Sequence, residues 1–330
     1  LVLVSPMEVL FGAVSRTTAP ADLRLAALIA ASATAFAVPL SVVDNARQSY
    51  QESHLSNLFG TLTNAALCVG LLLAARIKPA LPVFVAVVSC APLAFRVVNA
   101  MLLFAGRPHL LRSLRAGCSW RLTKALAGDG ISYMGAAALA NLLVYQWPVY
   151  YSARVRPPGE SSAFAVQLQL VVLVLSFGIS FAQPLWPAIA DGVARGDRRW
   201  VERAIRRART IAVAYGLIGF LGIGTALNAI VALWLHRRLN FDAVSCWLAA
   251  TYVFLAVWEY VHWPVALGLG VMKQASNAVT LRAVAFAAVV PLAARHGGTG
   301  LMACLCVSVI LLTAWYYPRL ITRTLRAMPT

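Results

Sequence analysis

Ten apolar runs follow one another along the 330 residues of this chain, nine of them long enough to be read as membrane-crossing helices. Crossing the hydrocarbon core takes about 20 mostly apolar residues. Lettered a to j, they are Leu1–Val14, Leu25–Val43, Leu58–Ala75, Leu81–Ala105, Leu126–Tyr150, Ala163–Ala190, Ile211–Leu235, Ala243–Val271, Asn277–Leu292 and Gly300–Tyr317. A lipid interior offers the backbone no hydrogen-bond partner, so spans must be helices or closed barrels, and runs of this length without alternation are helices. The expected fold class is all-α: a polytopic membrane protein with about ten transmembrane helices. Composition agrees, since 61% of residues are hydrophobic and 12% charged, against about 25% charged in soluble domains. No soluble domain fits in the connections.

Segment a is short, contains Glu8, and has neither a basic flank nor a small-residue cleavage site, so it does not read as a signal peptide. It reads as a chain that starts inside a helix, hence N-terminally truncated. The six cysteines lie mostly in apolar runs without metal-ligand spacing and read as small packing residues. No HExxH, GxSxG or Walker loop occurs. No enzyme, cofactor or metal site is expected.

The net charge of +17 has to be read loop by loop, because Lys and Arg accumulate in short cytoplasmic connections. One side carries Arg47; Arg107, Arg112, Arg115, Arg121 and Lys124; seven arginines between Arg195 and Arg209; Lys273; and Arg319, Arg323 and Arg326. The other side carries nine basic residues, and Arg96 and Arg282 fall inside apolar segments. The richer side, including the C-terminus, is expected to be cytoplasmic, and no nucleic acid partner is needed to explain the charge. Residues 191–209 read as a basic loop with an apolar side (Trp200, Val201, Ala204, Ile205) lying along the anionic leaflet or binding a lipid-linked pyrophosphate.

Polar groups at membrane depth are costly and therefore candidate sites. In segment d, Arg96 and Asn99 share a face and either line a polar cavity or tie down an arginine that snorkels. In segment e, Asp129 is either a helix N-terminal charge or a substrate contact, and Asn141 and Gln146 lie deeper. Segment f carries Gln169, Ser176, Ser180 and Gln183 on one stripe, which either bonds a neighbouring helix or faces a wet cavity. It ends at Pro184 and Pro187, which are expected to break it beside a cavity or gate. In segment h, Glu259 and His262 stand three apart, close enough for the carboxylate and imidazole to meet, either as a structural pair or as a proton carrier.

The run Gln183-Pro184-Leu185-Trp186-Pro187-Ala188 followed by Arg195-Gly196-Asp197-Arg198-Arg199-Trp200 resembles the polysaccharide and O-antigen flippases, the Wzx-type members of the MATE/MOP exporter superfamily. Arg47-Gln48-Ser49-Tyr50-Gln51-Glu52, and Arg96 to Asn99 followed by Leu102-Leu103-Phe104, are similar to that family too. The resemblance implies twelve helices in two lobes, of which residues 1–110 would be an incomplete N-lobe, 111–125 a basic cytoplasmic interlobe linker and 126–330 the C-lobe. It implies a transporter of the bacterial inner membrane that moves undecaprenyl-pyrophosphate-linked oligosaccharide outward by alternating access for surface polysaccharide and lipopolysaccharide synthesis. A polysaccharide polymerase and a chain-length regulator would be its partners, beside membrane lipids. Arg96 would attract phosphate or an acidic sugar; Asn99, Asp129, Asn141, Gln146, Gln169 and Gln183 would line the cavity. The alternatives are a MATE-like drug or metabolite antiporter and a truncated, non-transporting chain.

Overall fold

The structure, a computed structural model, describes residues 19–50, 52–77, 80–110, 119–120, 124, 135–236 and 239–328. Among these residues the chain is helical, without a strand. Seven stretches are long and apolar enough to cross a membrane: Pro20–Asp44, His54–Ile77, Leu81–Gly106, Gly159–Ala194, Arg198–Leu235, Ala243–Gly268 and Met272–Ala327. The protein is an all-α membrane protein. Segment a and the first part of segment e, with Asp129 and most of the basic stretch 111–125, lie outside the described residues.

The chain divides into two compact units, Leu1–Ser119 and Trp120–Thr330. In the first, α1 (Pro20–Ser49), α2 (Ser53–Ile77) and α3 (Leu81–Gly106) pack with α3 against both others. Asp22 in the first turn of α1 and Arg47 in its last complement the helix dipole. A small core of Val43, Ala100 and Leu103 joins α1 to α3, while most other apolar side chains are exposed, as expected where lipid tails are as apolar as leucine.

From residue 135 on, the second unit has helical residues 135–140, a π-helical turn (Asn141–Gln146) and α4 (Trp147–Val155). Pro148 explains the wide turn: it has no N–H for the preceding turn and its ring crowds the carbonyl there, and inserting one residue relieves both. Then follow α5 (Pro158–Ala182), α6 (Leu185–Ala194), α7 (Arg198–Leu235), α8 (Ala243–Gly268), α9 (Met272–Ala293), a 3-10 turn (Ala294–His296), α10 (Gly297–Leu312) and α11 (Tyr316–Ala327). Helix α8 is the axis of this unit: it packs against α5, α6, α7, α9, α10 and α11 and is buried on all sides, from Ala249 and Tyr252 to Val265 and Leu267. A helix that is apolar all round can only be stable when surrounded in this way or by lipid.

The break expected in segment f is present at Gln183–Pro184, whereas Pro187 sits in the first turn of α6, where its missing N–H costs nothing. Two expectations are corrected. Residues 191–209 are no surface loop; only Arg195–Asp197 is non-helical, and the rest completes α6 and starts the 38-residue α7. Gly196 (φ 70°) closes α6, with Gly196 N–H donating to the Val193 carbonyl at 3.0 Å and Asp197 N–H to that of Gly192 at 3.1 Å. The Asp197 carboxylate then accepts from Trp200 N–H at 2.9 Å and caps α7. The corner is tight enough that a Cβ on Gly192 would stand 2.8 Å from the Trp200 ring. Half of the apolar side of this stretch faces protein, since Val201 and Ile205 are buried with Ile189, Val265 and Ile321, while Trp200 and Ala204 are part-exposed beside an open groove. Segment j likewise stops at Leu312, and Tyr316 opens the separate amphipathic helix α11, which buries Tyr317 and Ile321.

Candidate functional site

Four charged side chains are buried within the described residues: Arg47 in the first unit and Glu259, His262 and Arg282 in the second, counting histidine. Arg47 and Asn99 form the tie between α1 and α3. Arg47 Nε donates to Asn99 Oδ1 at 2.5 Å, Arg47 Nη1 to Glu52 at 2.9 Å, and Asn99 Nδ2 to Asp44 Oδ1 at 3.0 Å. Arg107 bonds the other oxygen of Glu52 and lies over the Tyr50 ring at 4.2 Å. Bonding to Arg107 holds the Glu52 carboxyl below its ordinary value of 4.5. Asn99, expected to line a cavity, is 1% exposed with its amide engaged on both sides. Arg96, one turn earlier, is 39% exposed, donates to the Ala37 carbonyl at 3.3 Å and stands 3.9 Å from Asp44. The two residues share a face, but that face meets α1.

In the second unit, the π-helical turn presents Asn141 and Tyr145, α8 presents Glu259, Tyr260 and Trp263, and α9 presents Val279 and Arg282 to a cavity of about 170 Å³. Arg282 Nη1 donates to Glu259. Around the pair, the hydroxyls of Tyr145 and Tyr260 are 3.0 Å apart, and that of Tyr252 donates to Tyr145 at 3.4 Å. Arg282 Nε is buried with no hydrogen-bond partner among the described residues. The arrangement combines an ion pair, two phenols, an amide and an indole around one small volume, with the Tyr252 phenol buried behind Tyr145.

Glu259 and His262 do not pair with each other. Glu259 turns to Arg282, while His262 Nδ1–H donates to the Trp258 carbonyl at 2.7 Å and its Nε2 accepts from Arg209 Nε at 3.1 Å. An arginine on one side and a carbonyl on the other select the tautomer with the proton on Nδ1. The i, i+3 spacing places both groups on one side of α8, but stronger partners on α9 and α7 take them apart.

Among the remaining candidates, Asn141 lines the cavity, whereas Gln146 is exposed and does not. The stripe of Gln169, Ser176, Ser180 and Gln183 exists as a stripe but is exposed, and both serine hydroxyls bond carbonyls of their own helix. The buried glutamine of α5 is Gln167, whose amide donates to the Ser245 carbonyl and hydroxyl, each at 3.0 Å. Missed by the sequence reading were the roles of Arg282, Tyr145 and Tyr252. For Arg282 the signal was visible, a single arginine deep in an apolar segment; for the tyrosines there was none, since tyrosine near a helix end equally suits the membrane interface. No family model, curated protein or solved structure matches the chain.

Proposed function

We propose that this protein is a transporter that moves a lipid-linked oligosaccharide across the membrane by alternating access, as part of a twelve-helix, two-lobe carrier of the flippase type. The observation that supports this reading is the Glu259–Arg282 pair beside the cavity of about 170 Å³. Withdrawing two charges from water costs several kcal/mol per ion, and apolar side chains of similar volume would pack there at least as well. Such a pair beside phenols, an amide and an indole suits a ligand rich in hydroxyls, which exchange hydrogen bonds with tyrosines while a sugar ring stacks on Trp263. Arg282, which lines the cavity, brings a guanidinium that suits an acidic sugar or phosphate. In the first unit, Arg96 is part-exposed and stands 3.9 Å from Asp44, a cation of its own that an anionic ligand can meet.

The test is accumulation of undecaprenyl-linked repeat units in a strain lacking the gene, complemented with the wild type or with Tyr145→Phe and Arg96→Glu. Accumulation in the deletion strain, relieved by the wild type and only partly by either variant, is the expected result. Unchanged lipid-linked pools and unchanged surface glycan in the deletion strain would overturn the reading.

A further inference from the structure

Helices α5, α6, α7 and α8 enclose a second and larger space, an open groove of about 500 Å³ on the second unit. Its walls are apolar, with Phe181, Leu185, Ile211 and Val261 among them, and two arginines, Arg203 and Arg207, stand at its basic end. Phe181 and Ile211 are more than half exposed, so the groove is an uncovered apolar surface.

The charges on this part of α7 are arranged unequally. Arg195 is matched by Asp191 at 2.7 Å and Arg198 by Glu202 at 2.9 Å. Arg203 and Arg207 make no ion pair among the described residues; Arg203 Nε reaches only the Arg199 carbonyl at 3.4 Å. Arg199, Arg203 and Arg207 follow one another at intervals of four, on one helical face, where like charges repel. A face so arranged is relieved by an anion, and one bordering an open apolar groove in a membrane protein is suited to an anion carrying a hydrocarbon chain.

We propose that this groove is a binding site for an anionic glycerophospholipid of the bilayer, with an acyl chain against Phe181, Leu185, Ile211 and Val261 and the headgroup phosphate on Arg203 and Arg207. The guanidinium forks supply bidentate donors to phosphate oxygens, and the apolar walls supply the affinity that a free phosphate lacks. The lipid braces the corner between α6 and α7. This site is separate from the cavity at Glu259 and Arg282 and does not depend on what the protein transports.

The experiment is native mass spectrometry of the full chain in detergent, titrated in separate arms with phosphatidylglycerol, phosphatidylcholine, undecaprenyl phosphate and inorganic phosphate. The expected result is retention of one phosphatidylglycerol at least tenfold better than phosphatidylcholine, with no displacement by inorganic phosphate. The double variant Arg203→Gln/Arg207→Gln abolishes that preference, and Ala204→Phe, which fills the groove, lowers retention of the lipid. Arg206→Gln, which removes one unit of charge from a residue of the same helix outside the groove, leaves retention unchanged. Equal retention of the two phospholipids, or an equal loss in Arg206→Gln, would overturn the site in favour of diffuse attraction. Tighter retention of undecaprenyl phosphate than of phosphatidylglycerol would overturn the phospholipid assignment and give the groove to the transported lipid.

Discussion

Glu259 on α8 and Arg282 on α9 pair side chain to side chain inside the second unit, although they stand 23 residues apart and both are buried. Removing one partner leaves the other as an uncompensated buried charge. Glu259→Leu or Arg282→Met should each lower stability by about 3–5 kcal/mol. The double variant should recover most of that loss, because it removes both charges together. Thermal unfolding in detergent measures the stability, and if the pair serves the proposed ligand, the recovered double variant still fails to relieve accumulation of lipid-linked repeat units.

The tie between α1 and α3 gives a second expectation. Asn99→Ala deprives both Arg47 and Asp44 of a partner, which should cost about 1–3 kcal/mol, the usual penalty for buried polar groups left unmatched. Arg96→Gln, at a half-exposed position 3.9 Å from its acid, should cost under about 1 kcal/mol. Comparing the unfolding midpoints of the two variants checks the order.

Glu52 makes the corner between α1 and α2 sensitive to acid. Its carboxyl is held below the ordinary value of 4.5 first by the hydrogen bond from Arg107, against a desolvation contribution that raises it. A carboxyl with a depressed folded-state value contributes stability that is present above its unfolded value and lost as pH falls through the folded one. Hydrogen exchange at residues 50 and 52 should therefore accelerate beyond its intrinsic pH dependence below about pH 4.5, and not above it. Glu52→Gln should show fast exchange at every pH.

At the corner between α6 and α7, Gly196→Ala forces a Cβ into left-handed backbone (φ 70°) and should cost about 1–2 kcal/mol. Asp197→Ala removes the cap on Trp200 N–H and should cost about 1 kcal/mol. Both changes should raise protease cleavage after the arginines of the first turn of α7, while Arg199→Gln should not.

Helix type, the break at Pro184 and the basic stretches were all legible, because each follows from local chemistry: apolar length, a missing N–H, a run of arginines. Which face of a helix is buried was not. Gln167 and Gln169 differ by two positions, which places them on nearly opposite sides of α5, and the stripe containing Gln169 looked polar and purposeful. Only the position of Ser245 on α8 shows that Gln167 is the buried one. Residues 191–209 misled for a similar reason: the arginines read as surface, and nothing local shows that Val201 and Ile205 pack under α8 and α11.

The sequence by itself determined that this is a helical membrane protein and that a few charges had to be accommodated among its apolar segments, since hydrocarbon length and the cost of an unpaired backbone group act on each segment alone. Tertiary structure decided the partners. Spacing along α8 offered Glu259 the imidazole of His262, but a guanidinium from α9 and another from α7 form stronger, charge-assisted bonds and take the two groups separately. Such competition is settled only when the helices are packed together.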